Sequence, residues 1–204
     1  VSFKSKSQES LVTWGSMLLL AITAVYDFIF KNGIKFPRIL LLVVTIWGMY
    51  IVYKKSFLSR SKTSYYMILI FIFLAMYLGN VWDFYGIPHY DKFLHLGSGA
   101  IIAIIGYVLF ISLCGKEGIK VVNPYMAVIF VIIFAAAAAG VWEIWEYTTD
   151  SLFGLTAQNN SLDDTMWDII CGTGVGIITS IPIYMYSRGK KVKFIDNIIK
   201  EMND

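Results

Sequence analysis

Six apolar runs dominate the 204-residue chain, over about 10–30, 37–54, 64–85, 92–114, 124–149 and 164–187. Each is near the roughly 20 residues a helix needs to cross a bilayer. Backbone amides in hydrocarbon must be satisfied within their own segment or by a closed barrel. Barrel strands would read as alternating segments of about ten residues, which the sequence lacks. Charged residues make up 15% of the chain, whereas a soluble domain carries about 25%. The predicted fold class is therefore all-α, a polytopic membrane protein built as a six-transmembrane-helix bundle. The expected organisation is a single transmembrane domain over 1–188 and an interfacial amphipathic tail over 189–204. In that tail Val192, Ile195, Ile198, Ile199 and Met202 recur near helical spacing between lysines, as in a helix lying on the inner leaflet. The first apolar run is too long for a signal-peptide core and reads as a retained helix. Cys114 and Cys171 read as small buried residues rather than a disulfide or metal pair.

Lysine and arginine bias orients such a bundle. With the N-terminus inside, thirteen basic residues fall on the inner side, Lys4, Lys6, Lys116 and Lys120 among them, and four on the outer side. Both termini are expected to be cytoplasmic. The acids run the other way: nine of fourteen fall at the outer ends of helices or beyond them, as do His89 and His95. The positive-inside rule says little about acids and does not explain that skew. The basic residues are spread along the inner boundary, where topology accounts for them, so nucleic-acid binding has no support.

The acids are also patterned. In "AAAAAGVWEIWEYTTD" the alanine half reads as lipid-facing helix, yet Glu143, Glu146 and Asp150 follow on one face at steps of three and four. In "LDDTMWDIICGTGVG" Asp164 and Asp168 share a face that continues to Gly172 and Gly176, where a neighbouring backbone can come close. Asp164 is also placed to cap its helix. In "YDKFLHLGSGA" Asp91 and His95 are four apart, with Lys92 beside them and Gly97 and Gly99 following. Asn80 and Asp83 close the third run, and Asp27 closes the first. Trp142, Trp145 and Tyr147 suit an aromatic interfacial belt. His89 and Asp163 read as surface residues.

Several carboxylates at one depth in a membrane are costly unless something neutralises them. Carboxylates with one imidazole suit a divalent ion: Zn²⁺, Mn²⁺, Mg²⁺ or Fe²⁺. The expected ligands are Glu143, Asp168, His95 and Asp164. Glu146 is expected as a further ligand or as a base, Asp91 as a second acid–base group, and Lys92 as the cation for a phosphate or developing oxyanion. Asp150 and Asp83 are placed to meet substrate. These residues point to a metal-dependent hydrolase or phosphatase acting at the outer side on a membrane lipid or lipid-linked substrate. A cation or proton-coupled transporter is a second reading, although the polar groups needed to continue inward are few. A non-catalytic lipid-headgroup-binding protein is a third.

The same motifs, "YDKFLHLGSGA", "WEIWEYTTD" and "GLTAQNNSLDDTMWD", resemble the signatures of the YjdF-like bacterial inner-membrane proteins, a family of unknown function. The "DK-x-x-H" opening is also similar, more distantly, to VanZ-like membrane proteins. The resemblance covers about residues 80–180. It implies a bacterial cytoplasmic-membrane protein with polar positions at Asp91, Lys92, His95, Glu143, Glu146, Asp150, Gln158, Asp164 and Asp168. On this basis Gln158 joins the expected substrate-binding set. No reaction follows from it.

Overall fold

The computed structural model describes residues 8–154, 157–158 and 160–203. Lys4 and Lys6 of the charge count lie outside the described residues, as does Asp204, and so do the side chains of Lys116, Glu117 and Lys120. Among the described residues all regular structure is helical. Six helices are long and apolar enough to cross a membrane. Their outward faces carry large apolar side chains such as Leu18, Ile22, Ile133, Val141 and Ile178. Lipid, not water, is the solvent such faces suit. The chain divides into two compact units, residues 1–88 and 89–204.

The first unit holds α1 (Gln8–Lys31), α2 (Phe36–Lys55) and α3 (Lys62–Ile72), the last continuing as a wider π-helical stretch over Phe73–Val81. Asn32 and Gly33 turn the chain between α1 and α2 with positive φ, and Pro37 sits in the first turn of α2, where its missing amide is no loss. Leu20, Leu42, Ile46 and Tyr65 form the buried interior. Hydroxyl pairs stitch it, Thr13 to Tyr65 at 2.5 Å and Thr23 to Tyr77 at 3.1 Å. The wide turn leaves the Trp82 amide bonded to the Tyr77 carbonyl. Asp83 then reverses the chain with φ near +60°.

The second unit holds α4 (Tyr90–Val121, broken at Gly115), α5 (Pro124–Phe153), α6 (Leu162–Ser187) and a short α7 (Lys193–Asn203). Asn123 caps α5 by accepting the Tyr125 amide at 3.0 Å. Gly154, with φ of 67°, ends that helix as only glycine does cheaply. Here one face of the alanine run, Ala135 with Ala139, meets protein while Ala137 stays exposed, so the lipid-facing reading holds for only part of the run. A methyl group built on Gly176 would sit 2.5 Å from Ala135 Cβ, and one on Gly99 would sit 2.5 Å from the Gly172 carbonyl oxygen. Small residues on all three helices let the backbones touch, which replaces the hydrophobic drive that lipid cannot supply. Gly97 has open space around it and takes no part.

Further along, Tyr107, Phe110, Val131 and Ile183 close the interior. Ile195, Ile198 and Met202 of α7 are buried, with Ile195 in that same cluster. The apolar stripe of the tail is therefore turned onto protein. Glycine contact in the middle and aliphatic packing at this end bring the opposite ends of α4, α5 and α6 together, where the acids are.

Candidate metal centre

Three helix ends converge in the second unit: the start of α4, the end of α5 and the start of α6. Ser161 caps α6 by accepting the Asp164 amide at 3.3 Å. Asp164 is therefore not the cap, and its carboxylate faces Lys92 of α4. The Ser-x-x-Asp spacing was the sequence signal for this arrangement.

Lys92 reaches from α4 to both acids of α6, 2.6 Å from Asp164 Oδ1 and 2.7 Å from Asp168 Oδ1. Its ammonium is thus paired with the protein's own carboxylates. Asp91 and Asp168 each divide their oxygens. One Asp91 oxygen lies 3.9 Å from Lys92 Nζ and the other 3.7 Å from His95 Nε2. The second Asp168 oxygen is also 3.7 Å from His95 Nε2. Asp168 is almost wholly buried, with 2% of its side chain exposed.

Ligand atoms of Asp91, His95 and Asp168 all lie within 4.8 Å of one another. Metal–ligand bonds of about 2.0–2.2 Å set neighbouring ligand atoms about 3–4 Å apart. The two 3.7 Å edges at His95 fit that spacing, and one imidazole with two carboxylates is a donor set for Zn²⁺, Mn²⁺ or Fe²⁺. The expected set was Glu143, Asp168, His95 and Asp164. The structure brings Asp91 into it, pairs Asp164 with Lys92, and leaves Glu143 outside the group though within Coulombic range of Asp168 and His95.

Glu146 lies within Coulombic range of Asp91, Glu143 and Asp168. Trp142, read from sequence as belt, donates its indole N–H to Glu146 Oε1 at 2.8 Å. The two are one turn apart on α5, so the signal was present but looked like interfacial decoration. Among the described residues, Asp91, Glu146, Asp164 and Asp168 thus gather at these helix ends with Lys92 and His95.

Glu143 is buried beside a cavity of about 790 Å³ between α5, α6 and the segment joining them. Asp150 shapes that cavity without offering itself to a ligand: its two oxygens accept the amides of Ala157 and Gln158 at 2.9 and 3.0 Å. The anchored Gln158 then donates its side-chain amide to Glu143, 3.2 Å from the carbonyl and 3.3 Å from Oε2. Glu143 Oε1 is buried away from the cavity space, and the Thr165 side chain lies within hydrogen-bonding range of the carboxylate. Tyr147, Ser151, Asn160 and Thr165 also line the cavity, and the sequence had not singled them out as binding residues.

Asp83 lies in the first unit, paired with Lys35 and with Arg38 at 3.3 Å. His89 is exposed, and the two cysteines are free and half-buried.

A family described as a predicted membrane protein (DUF2238) matches residues 10–189. No curated protein and no solved structure matches the chain.

Proposed function

The chain belongs to the DUF2238 family of predicted membrane proteins, and from that premise we propose that it is a metal-dependent hydrolase acting on a membrane lipid or lipid-linked substrate, with its site on the outer side of a bacterial cytoplasmic membrane. The observation that carries this reading is the convergence of Asp91, His95 and Asp168 within 4.8 Å. A divalent ion held there would supply a water of lowered pKa and would polarise a phosphoryl or acyl oxygen. The chain's own residues do the rest. Lys92 fixes the rotamers of Asp164 and Asp168 through contacts of 2.6 and 2.7 Å, which aims the second Asp168 oxygen at His95. Trp142 holds one Glu146 oxygen, leaving the other to take a proton from the attacking water.

The interior away from the site favours a pocket over a through-path. It is made of Ala103, Val131, Ala135 and Ile183, and the buried Ser180 hydroxyl is bonded to the Ile177 carbonyl at 2.7 Å.

Metal content is the direct test. Protein purified in detergent should retain about one divalent ion per chain. His95→Ala and Asp168→Asn should each weaken rebinding by about 100-fold or more, a loss beyond the 10–100-fold typical of residues that only orient ligands. Wild-type protein that binds no Zn²⁺, Mn²⁺, Mg²⁺ or Fe²⁺ at millimolar concentration would sink the reading.

A further inference from the structure

Within the second unit, α5 and α6 bring the acids no cation of their own. Between residues 121 and 187 the chain has no lysine, arginine or histidine. Lys92 and His95 of α4 are what those acids meet. The two are three residues apart and therefore lie on one side of their helix, so they present two positions to the acids side by side.

Two carboxylates run between these positions. Asp168 places Oδ1 2.7 Å from Lys92 Nζ and Oδ2 3.7 Å from His95 Nε2. Asp91 repeats the pattern more loosely, with Oδ2 3.9 Å from Nζ and Oδ1 3.7 Å from Nε2. Asp164 Oδ1, 2.6 Å from Nζ, ends the row on the lysine side. Di-metal carboxylate bundles set acids from facing helices around two ions in a similar way, with the ions about 3.5–4 Å apart. The Asp91, His95 and Asp168 group frames one such position, and the ammonium fills the other. Its two short contacts are charge-assisted hydrogen bonds, one of them to the buried Asp168, which has little water to turn to instead.

We infer that Lys92 is a tethered stand-in for a second metal ion, a positioning residue that keeps the centre mononuclear. The inference rests on the metal reading above for the ion beside His95; the place of the ammonium between Asp164 and Asp168 does not depend on it. An ammonium brings positive charge and three donors, but no position at which a water or a substrate oxygen can coordinate. Water can therefore be activated only on the His95 side. The lysine also withholds Asp164 and one Asp168 oxygen from the ion. Three protein donors are left, with further positions open, which is the arrangement of catalytic rather than structural metal sites.

Metal stoichiometry of the full chain in detergent, with Mn²⁺ as the probe, tests it. Wild type and Lys92→Arg, which keeps the charge, should each bind about one ion per chain. Lys92→Ala should bind about two, and electron paramagnetic resonance should show the spin coupling of neighbouring Mn²⁺ ions. Adding Asp164→Asn to Lys92→Ala removes a ligand of the second position and should return the count to about one. Lys92→Ala purified throughout in millimolar Mn²⁺ should stay folded, because the ion replaces the missing charge; a variant that unfolds even there overturns the inference. A single ion in both wild type and Lys92→Ala also overturns it and leaves the hydrolase standing. No ion in wild type and one in Lys92→Ala retires the hydrolase and keeps the lysine in a cation's place. No ion in either overturns both readings.

Discussion

Asp27 in the first unit and Glu143 in the second are both buried carboxylates that accept a hydrogen bond from their own chain. Their surroundings differ in two ways. Asp27 borders a space of about 10 Å³, enough for one water. Two lysines, Lys31 and Lys35, line that space. Glu143 borders about 790 Å³ with no cation among the described lining residues. Asp27 also accepts the Lys35 backbone amide at 3.0 Å, which closes the turn after α1. An acid with cations around it and a turn to hold is part of the scaffold. An acid with spare volume and a surplus of negative neighbours is a site. The same contrast holds for the ion pairs: Asp83 is met by two cations, Lys35 and Arg38, whereas one Lys92 is shared between Asp164 and Asp168.

The largest expected effect comes from removing that shared lysine. Lys92→Met leaves Asp164 and the buried Asp168 facing each other without a counter-ion. Breaking such a pair from one side costs about 3–5 kcal/mol when the remaining charge is buried. Lys35→Met, by contrast, removes a partner from the exposed Asp83, and should cost about 1 kcal/mol or less. Unfolding of both variants in the presence of a chelator measures the difference. Equal losses would mean that the acids of the second unit are solvated, and the contrast between the units would fail.

Much of this contrast was legible in the sequence. The six spans were fixed by length and composition, and helical steps put Asp91 with His95, Glu143 with Glu146, and Asp164 with Asp168. The choice of ligands was not legible. Which face of α4 meets which face of α6 depends on how far the helices rotate, and that is set by the Gly99–Gly172 and Gly176–Ala135 contacts. Those contacts turn Lys92 and His95 of α4 onto Asp168 of α6. A one-dimensional pattern shows the faces but not their pairing. Gln158 illustrates the limit best: its bond to Glu143 crosses fifteen residues and exists because Asp150 folds the intervening segment back. The π-helical stretch over Phe73–Val81 had no sequence signal that we can name.

A second pair of variants sharpens the comparison through the sign of the change. Asp27→Ala removes the acceptor for the Lys35 amide and should destabilise by about 1–3 kcal/mol, the cost of leaving a buried donor unpaired. Glu143→Gln should leave stability unchanged or raise it by about 1 kcal/mol, because it removes a desolvated charge that the fold does not need. Functional groups held against stability behave this way. If Glu143→Gln destabilised the protein as much as Asp27→Ala does, Glu143 would be scaffold too.

The smallest effect concerns Asp83, and it is read best as a function of pH. Its hydrogen bond from Lys35, with the nearby Lys35 and Arg38 charges, holds the carboxyl below the ordinary carboxylate range. A depressed folded value means that the ionised form stabilises the fold. That contribution is fully present above the unfolded pKa of about 3.9 and disappears as pH falls through the lower folded value. Because the side chain is 63% exposed, solvent screening should hold the contribution under about 1 kcal/mol. The melting temperature of Asp83→Asn should therefore fall slightly below wild type at neutral pH, by an amount that shrinks with added salt and vanishes on acidification. A gap that widened on acidification would mean that the protonated form of Asp83 is the one the fold prefers, and the pairing with Lys35 and Arg38 would then not be what holds it.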